Sequence, residues 1–427
     1  MKLSVTSIFL SLLLVSGGRC APTSKSSSNT GSRQMSPSAG QAFGAAYFIT
    51  NEPSGNLLIA ADIASSGKLT LRRAIDTGGL GAHGITDPVG PDPLFAQGSV
   101  KASSAGNIVA TVNPGSNTLA VFSINPNDAT NLQMIGKPVG SGGEFPMSLT
   151  INKAGDTVCA LNGGAINGVG CFKVDKTQGL VPISNTVRSL GLNQTTPATG
   201  PAGSASHIIF SEDNSQLIAS VKGVPPQPGF LAVWDVAADG SLSADFKSVA
   251  PQSGGLLPFS MTVIAGKNAI LATDAGLGFD IFDFNAVNST QGNSSSTGDR
   301  SSANAINGQS ATCWSSFSPK TGNFFLTDIG TSTVTEVNVD ANLNGTIVKQ
   351  YPQTAGSGTI DNDVATINGK DFLYVLAANA SSIDVLALPA PGKGTSLQKL
   401  DIAGPAKSAG ITINPNNLQG MTTFVKK

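Results

Sequence analysis

Phe230-Leu231-Ala232-Val233-Trp234-Asp235-Val236 is the stretch from which the fold can be read. It reads as a β-strand, with apolar side chains recurring at period two. Six more segments align with it: Leu57 to Ile63, Thr118 to Ile124, Gly168 to Val174, Gly278 to Phe284, Thr333 to Val339 and Ser382 to Leu388. The seven copies begin about 48 to 62 residues apart, a spacing that belongs to propeller blades. A second strand precedes each copy, as in Ile108 to Thr111, Leu217 to Ser220 and Phe324 to Thr327. The turns between the two strands begin at or near Asn51, Asn113, Asn162, Lys222, Asp274, Asp328 and Asn379. Asn, Asp and nearby Gly suit the tight turns that antiparallel neighbours need.

An inner strand comes before each of these pairs except the first, as in Ser148 to Ile151, His207 to Phe210 and Trp314 to Phe317. The first blade starts on its second strand, and an unassigned strand, Gly410-Ile411-Thr412-Ile413, is left near the other end. That strand is expected to complete blade one and so close the ring, which protects the edges an open sheet would expose. The predicted architecture is all-β, a seven-bladed β-propeller over residues 43–427 closed by a C-terminal strand. No long stretch carries the 3.6-residue period of a helix. The segments Asn285 to Gly308 and Gly191 to Gly203 read as exposed loops joining blades five to six and three to four.

The first residues point to export. Lys2, the apolar run Ile8 to Val15 and the small residues before Cys20-Ala21 have the layout of a secretory signal peptide, residues 1–20. Residues 21–42 read as a Ser-rich disordered leader. No apolar run reaches the roughly 20 residues that a spanning helix needs, so no membrane span is expected. Cys159 and Cys171 flank a Gly-rich turn and are expected to pair across adjacent strands, which leaves Cys313 as a lone buried thiol. Asn193, Asn288, Asn293, Asn344 and Asn379 begin N-x-Ser/Thr sequons and are expected to carry glycans. Charged residues make up 12% of the chain and the net charge is −1, against about 25% charged in typical domains. No basic face is available for a phosphate backbone, which excludes nucleic-acid binding.

Ala45-Ala46-Tyr47-Phe48-Ile49-Thr50-Asn51 with Thr77-Gly78-Gly79, Ser206-His207-Ile208-Ile209-Phe210-Ser211-Glu212-Asp213, and Ala311-Thr312-Cys313-Trp314 with Phe317-Ser318-Pro319 carry a family resemblance. The chain resembles fungal secreted proteins named 3-carboxymuconate cyclase-like, within a wider family of seven-bladed 6-phosphogluconolactonase-type lactonases. That resemblance implies chemistry on lactones and carboxylic acids, using His, Glu and Arg near the central channel. His207 and Glu212 match by position, Glu212 falling in a turn on the opposite rim. No arginine matches: Arg33, Arg72, Arg73, Arg188 and Arg300 all fall outside the channel mouth.

In a propeller the mouth is lined by the starts of the inner strands and by the turns between second and third strands. Here those positions include His207, Ser260, Cys313, Trp314, Asp363, Lys222, Asp274, Asp328 and Asn113. His207 is the candidate general acid or base. Lys222 stands where other blades carry Asn or Asp and is the candidate cation for an anionic ligand; Trp314 offers a stacking face, and Asp363 a polar contact. Asp361 and Asp363 with Asp274 and Asp328 have the oxygens for calcium, but separate turn carboxylates are the favoured reading, so no metal and no cofactor are expected. The expected function is that of a secreted or wall-associated glycoprotein, a monomer that binds a cell-wall or host-surface ligand and whose catalytic site is degenerate. The alternative is an extracellular lactonase or carboxymuconate-type cyclase acting on a small carboxylate or lactone at the channel.

Overall fold

The computed structural model of the chain describes residues 31–37, 40–287 and 299–426. The expected signal peptide and the sequons at Asn288 and Asn293 lie outside the described residues. Seven antiparallel sheets follow one another along the chain and form the blades of a seven-bladed propeller. Six blades take their strands from one continuous stretch, in simple order from inner to outer. In blade four these are Ala205–Phe210, Gln216–Val221, Phe230–Asp235 and Lys247–Val249. All seven aligned sequence segments are the third strands of their blades.

The ring closes with a strand from the C-terminus, but not with the expected one. Gln419–Val425 is the inner strand of blade one, paired antiparallel with Gly44–Ile49 in the register Gly44↔Val425 and Tyr47↔Thr422. Gly410 to Ile413 is not a strand. It follows the short helix Ala403–Ser408: Gly410 adopts φ +68, and the N–H of Ile411 donates back to the Ala406 carbonyl at 2.9 Å, a helix-ending turn. The closing strand carries its own apolar anchors, Met421 and Phe424, both buried.

Two other segments differ from expectation. Ser32–Gln34, inside the expected leader, adds a fifth strand to the outer edge of blade one, beside Leu69–Asp76. Arg33 there donates to the Gly410 carbonyl at 3.0 Å, tying the chain's beginning to its end. The segment from Asn285 to Gly308 is more than a connection, since Ser302–Ala305 forms the outer strand of blade five against Gly278–Asp283.

The core lies between the blades. The sheets stand radially, so both faces of every middle strand meet a neighbouring blade and bury apolar side chains. Trp234, Tyr47, Tyr374, Phe122 and Phe325 are among the fully buried side chains, and burying a large apolar side chain contributes about 1.5–3 kcal/mol. The Tyr47 hydroxyl donates to the Ala129 carbonyl at 2.5 Å, linking blade one to blade two. Turns use asparagine in the left-handed region, as at Asn117 (φ +56), Asn214 (φ +59) and Asn368 (φ +51), the conformation that Asn tolerates best after Gly. Cys159 and Cys171 face each other on neighbouring strands and form a disulfide; Cys313 is free and buried. No described helix is long and apolar enough to cross a membrane.

Candidate functional site

The upper rim is the one where the inner strands begin. The connection from blade one to blade two, between Asp76 and Val100, is long. It first runs across this rim, where Ile85 pairs with Thr199 and its N–H donates to the Ala198 carbonyl at 2.7 Å. The segment Gly191 to Gly203, read from sequence as free decoration, is therefore half of a brace across the top of blades one to four. The connection then turns down into the channel mouth. Asp92, Leu94, Phe95, Ala96 and Gln97 are all buried there. Gly98 sits where a side chain has no room: a Cβ would come within 2.9 Å of Ser148 Oγ and 3.2 Å of the His207 ring.

This segment plugs the mouth, and donors from several blades hold it. The Gln97 side chain exchanges two hydrogen bonds with the Ser315 backbone of blade six, Nε2 to the carbonyl at 2.9 Å and the N–H back to Oε1 at 3.0 Å. Its own N–H donates to the Ser206 carbonyl of blade four at 3.1 Å. Its carbonyl accepts from Ser148 Oγ of blade three at 2.6 Å. Gln419, on the closing strand, donates to the Ala96 carbonyl at 2.8 Å and to Asp361 at 2.7 Å.

Two of the residues singled out from sequence meet at the plug. Lys222 is buried, and its ammonium donates to the carbonyls of Phe95 at 2.8 Å and Ala205 at 2.9 Å. It also lies 4.6 Å over the ring of Phe259, a cation–π contact that partly replaces lost hydration. Trp314 packs edge-on against the same ring, centroids 5.2 Å apart, and its indole N–H donates to the Ala96 carbonyl at 3.2 Å. Neither side chain offers a free face to solvent. His207 is buried too. Its Nδ1 accepts the N–H of Met261 at 2.9 Å, so the ring proton sits on Nε2, which has no partner.

Asp363 lies elsewhere, at the seam where the ring closes. Its Oδ2 accepts from the N–H and Oγ1 of Thr423, at 2.7 and 2.9 Å. Asp361, two residues earlier on the same strand, accepts the Gly420 N–H at 2.8 Å besides the Gln419 amide. Asp274 receives the N–H groups of Leu256 and Leu257, and Asp328 those of Ser310 and Ala311. Each of the four carboxylates thus bonds its own blade or seam, although Asp361 Oδ1 is buried without a partner. Among the described residues no three His, Cys, Asp or Glu side chains are grouped to hold a metal ion.

Burial dominates the electrostatics of the mouth. It pushes Asp92 up to about 8, with Asp361 adding repulsion and Lys222 opposing. It pushes Asp361 up to about 7 and Lys222 down to about 7, where Asp92 resists. Burial also holds His207 below its ordinary range, with Lys101 second, so the imidazole is neutral and its basic nitrogen is already engaged by a backbone N–H. The arginines implied by the family resemblance do not reach the mouth among the described residues, where the cations are Lys222 and, facing His207, Lys101. Arg72 pairs with Asp62, Arg73 with Asp128 and Arg300 with Asp283, while Arg188 donates to the carbonyls of Ser243 and Leu242. Glu212 accepts the Gly266 N–H at 2.6 Å, on the lower rim with the other turns that follow inner strands. Gln97, Gln419, Asp92 and Phe95 were not singled out from sequence; the signal for the three in the loop was Leu94-Phe95-Ala96, an apolar run.

Residues 18–196 match the family model described as Lactonase, 7-bladed beta-propeller. Lactonase-type propellers are also found among the solved structures most similar to the chain. The periplasmic gluconolactonase PpgL of Pseudomonas aeruginosa is 17% identical, with a TM-score of 0.57 over 84% of this chain and 96% of that one. A putative 6-phosphogluconolactonase from Bacteroides fragilis is 15% identical, with a TM-score of 0.55 over 86% and 98%. A second, from Bacteroides uniformis, is 14% identical, with a TM-score of 0.56 over 84% and 98%. At these identities the lactonase likeness carries the fold, and activity has to be argued from the site. None of the curated proteins matches the chain.

Proposed function

We propose that the chain is a secreted, glycosylated propeller of the 3-carboxymuconate cyclase-like kind that acts by binding, its lactone-processing site degenerate. One observation carries this reading. The space where a lactone would meet a general base is filled by Asp92 to Gly98, and Lys222 and Trp314 are spent on holding that segment. A carboxylate ligand calls for cations free to pair with it, and the arginines among the described residues are engaged at the periphery. Asn193, Asn344 and Asn379 are exposed, as glycan acceptors in an exported protein must be. The partner on this reading is a cell-wall or host-surface ligand. Tagged protein incubated with wall, matrix and glycan preparations should be retained by at least one of them. Recovery of all the protein unbound from every preparation would overturn the reading.

A further inference from the structure

Phe95 to Gly98 is held in the channel as a bound peptide is held by a receptor. Its consecutive carbonyls each receive a donor from the ring: Lys222 Nζ on Phe95, Trp314 Nε1 and Gln419 Nε2 on Ala96, Ser148 Oγ on Gln97, and the Leu149 N–H on Gly98. Four of these donors are side chains, drawn from blades one, three, four and six. Recognition through main-chain carbonyls is indifferent to sequence, and selectivity comes from side-chain pockets. Two such pockets exist. The Phe95 ring lies against Gly84 and Gly200, where a Cβ would come within 2.4 and 2.5 Å of it, and the Gln97 amide fits the Ser315 backbone.

The occupant is strained. Asp92 (φ +69) and Phe95 (φ +54) both adopt left-handed backbone, which is uncommon for any residue with a Cβ and a clear outlier for a bulky one. Such strain persists only where surrounding structure imposes it, and it gathers at ligand clamps and switches. Phe145 (φ +53), at the entry to the blade-three inner strand, adopts the same backbone, so what marks the plug is two such residues within four positions.

We propose that the channel mouth is a binding site for a peptide presenting consecutive main-chain carbonyls, and that Phe95 to Gly98 fills it in cis until such a peptide displaces it. This rests on the reading that the protein acts by binding, and it names the ligand class of the channel. An apolar side chain enters the glycine-floored pocket, and a side-chain amide two residues on meets blade six.

The test uses the full chain and a capped synthetic peptide with the sequence of residues 91–99, Pro-Asp-Pro-Leu-Phe-Ala-Gln-Gly-Ser. Amide hydrogen exchange is followed at Ala96 and Gln97 of the protein, with the Ile208 amide of the blade-four inner strand as reference. Excess peptide is expected to speed exchange at Ala96 and Gln97 at least tenfold and to leave Ile208 unchanged. In Lys222→Met the peptide's effect should fall at least tenfold; if that variant does not fold, the wild-type experiment decides alone. Exchange at Ala96 and Gln97 that stays as slow as at Ile208, or that is fast but indifferent to peptide, overturns the proposal. Acceleration by citrate but not by peptide also overturns it, in favour of a small-anion site. Failure to bind wall or glycan preparations leaves this readout untouched, so the two readings fail separately.

Discussion

The ammonium of Lys222 donates to the carbonyl of Phe95 at 2.8 Å across a separation of 127 residues. That bond joins a turn of blade four to the segment that enters the channel between blades one and two. A buried lysine that spends its charge on carbonyls is costly to desolvate, and Lys222 is accordingly driven down to about 7. Its position is the one that sequence assigned to ligand binding; its ligand is the chain itself.

The first prediction concerns pH. Asp92, Asp361 and Asp280 are held above the ordinary carboxylate range, at about 8, 7 and 9, each chiefly by burial. A raised carboxyl contributes stability that is fully present below its unfolded value of about 3.9 and is lost as pH rises through the folded value. Lys222 works the other way, its contribution being lost as pH falls towards about 7 and constant below that. Between about pH 4 and 7 the three carboxyls pull stability down as pH rises, while His207, held below its ordinary value by burial, opposes them only up to about pH 6.5. The melting temperature should be higher near pH 5 than near pH 7.5, and Asp361→Asn should flatten that slope. Calorimetry across this range checks it; a melting temperature that climbs steadily from pH 5 to 7.5 would contradict the account.

Gly98→Ala tests how tightly the plug fits. The added methyl meets Ser148 and the His207 ring, at a residue whose φ is +88. Strain of this kind costs about 1–3 kcal/mol, and the variant should unfold at correspondingly lower urea. An unchanged midpoint would mean that the segment sits loosely.

Ring closure is predicted to depend on the last strand. Removing residues 419–427 takes away the inner strand of blade one together with the partners of Asp361 and Asp363. The truncated chain should show no cooperative thermal transition, and one that melts at the wild-type temperature would refute the closure.

How far sequence reached can be seen in these same elements. Seven third strands were legible because period-two alternation is local, and the repeat multiplied the signal. The closing strand was misplaced by several residues because Gly410 to Ile413 and Gln419–Val425 are both short and apolar, and only the helix-ending turn at Gly410 separates them. Lys222 and Trp314 were found at the mouth because blade repetition locates every turn and strand start. The plug was missed because its partners are spread over the whole ring: Gln97 bonds Ser315, 218 residues away. No local pattern encodes a contact of that range.

The Cys159–Cys171 disulfide supplies a fourth prediction. It closes a short loop, with a sequence separation of 12, and loops of about 15 residues are worth roughly 3 kcal/mol in the chain-entropy picture. Replacing both cysteines with serine should lower stability by about 2–3 kcal/mol while the blades remain folded, as denaturant titration followed by circular dichroism would show. A loss too small to measure would place the stability of blade three in its packing alone.

The most direct measurement is turnover. Pure wild-type protein and His207→Ala would each be incubated with sugar lactones and muconate-type acids, and ring opening or closure followed by NMR. The account predicts no conversion above the buffer rate for either protein. Conversion by the wild type that disappears in His207→Ala would contradict it and establish the plugged channel as a working active site.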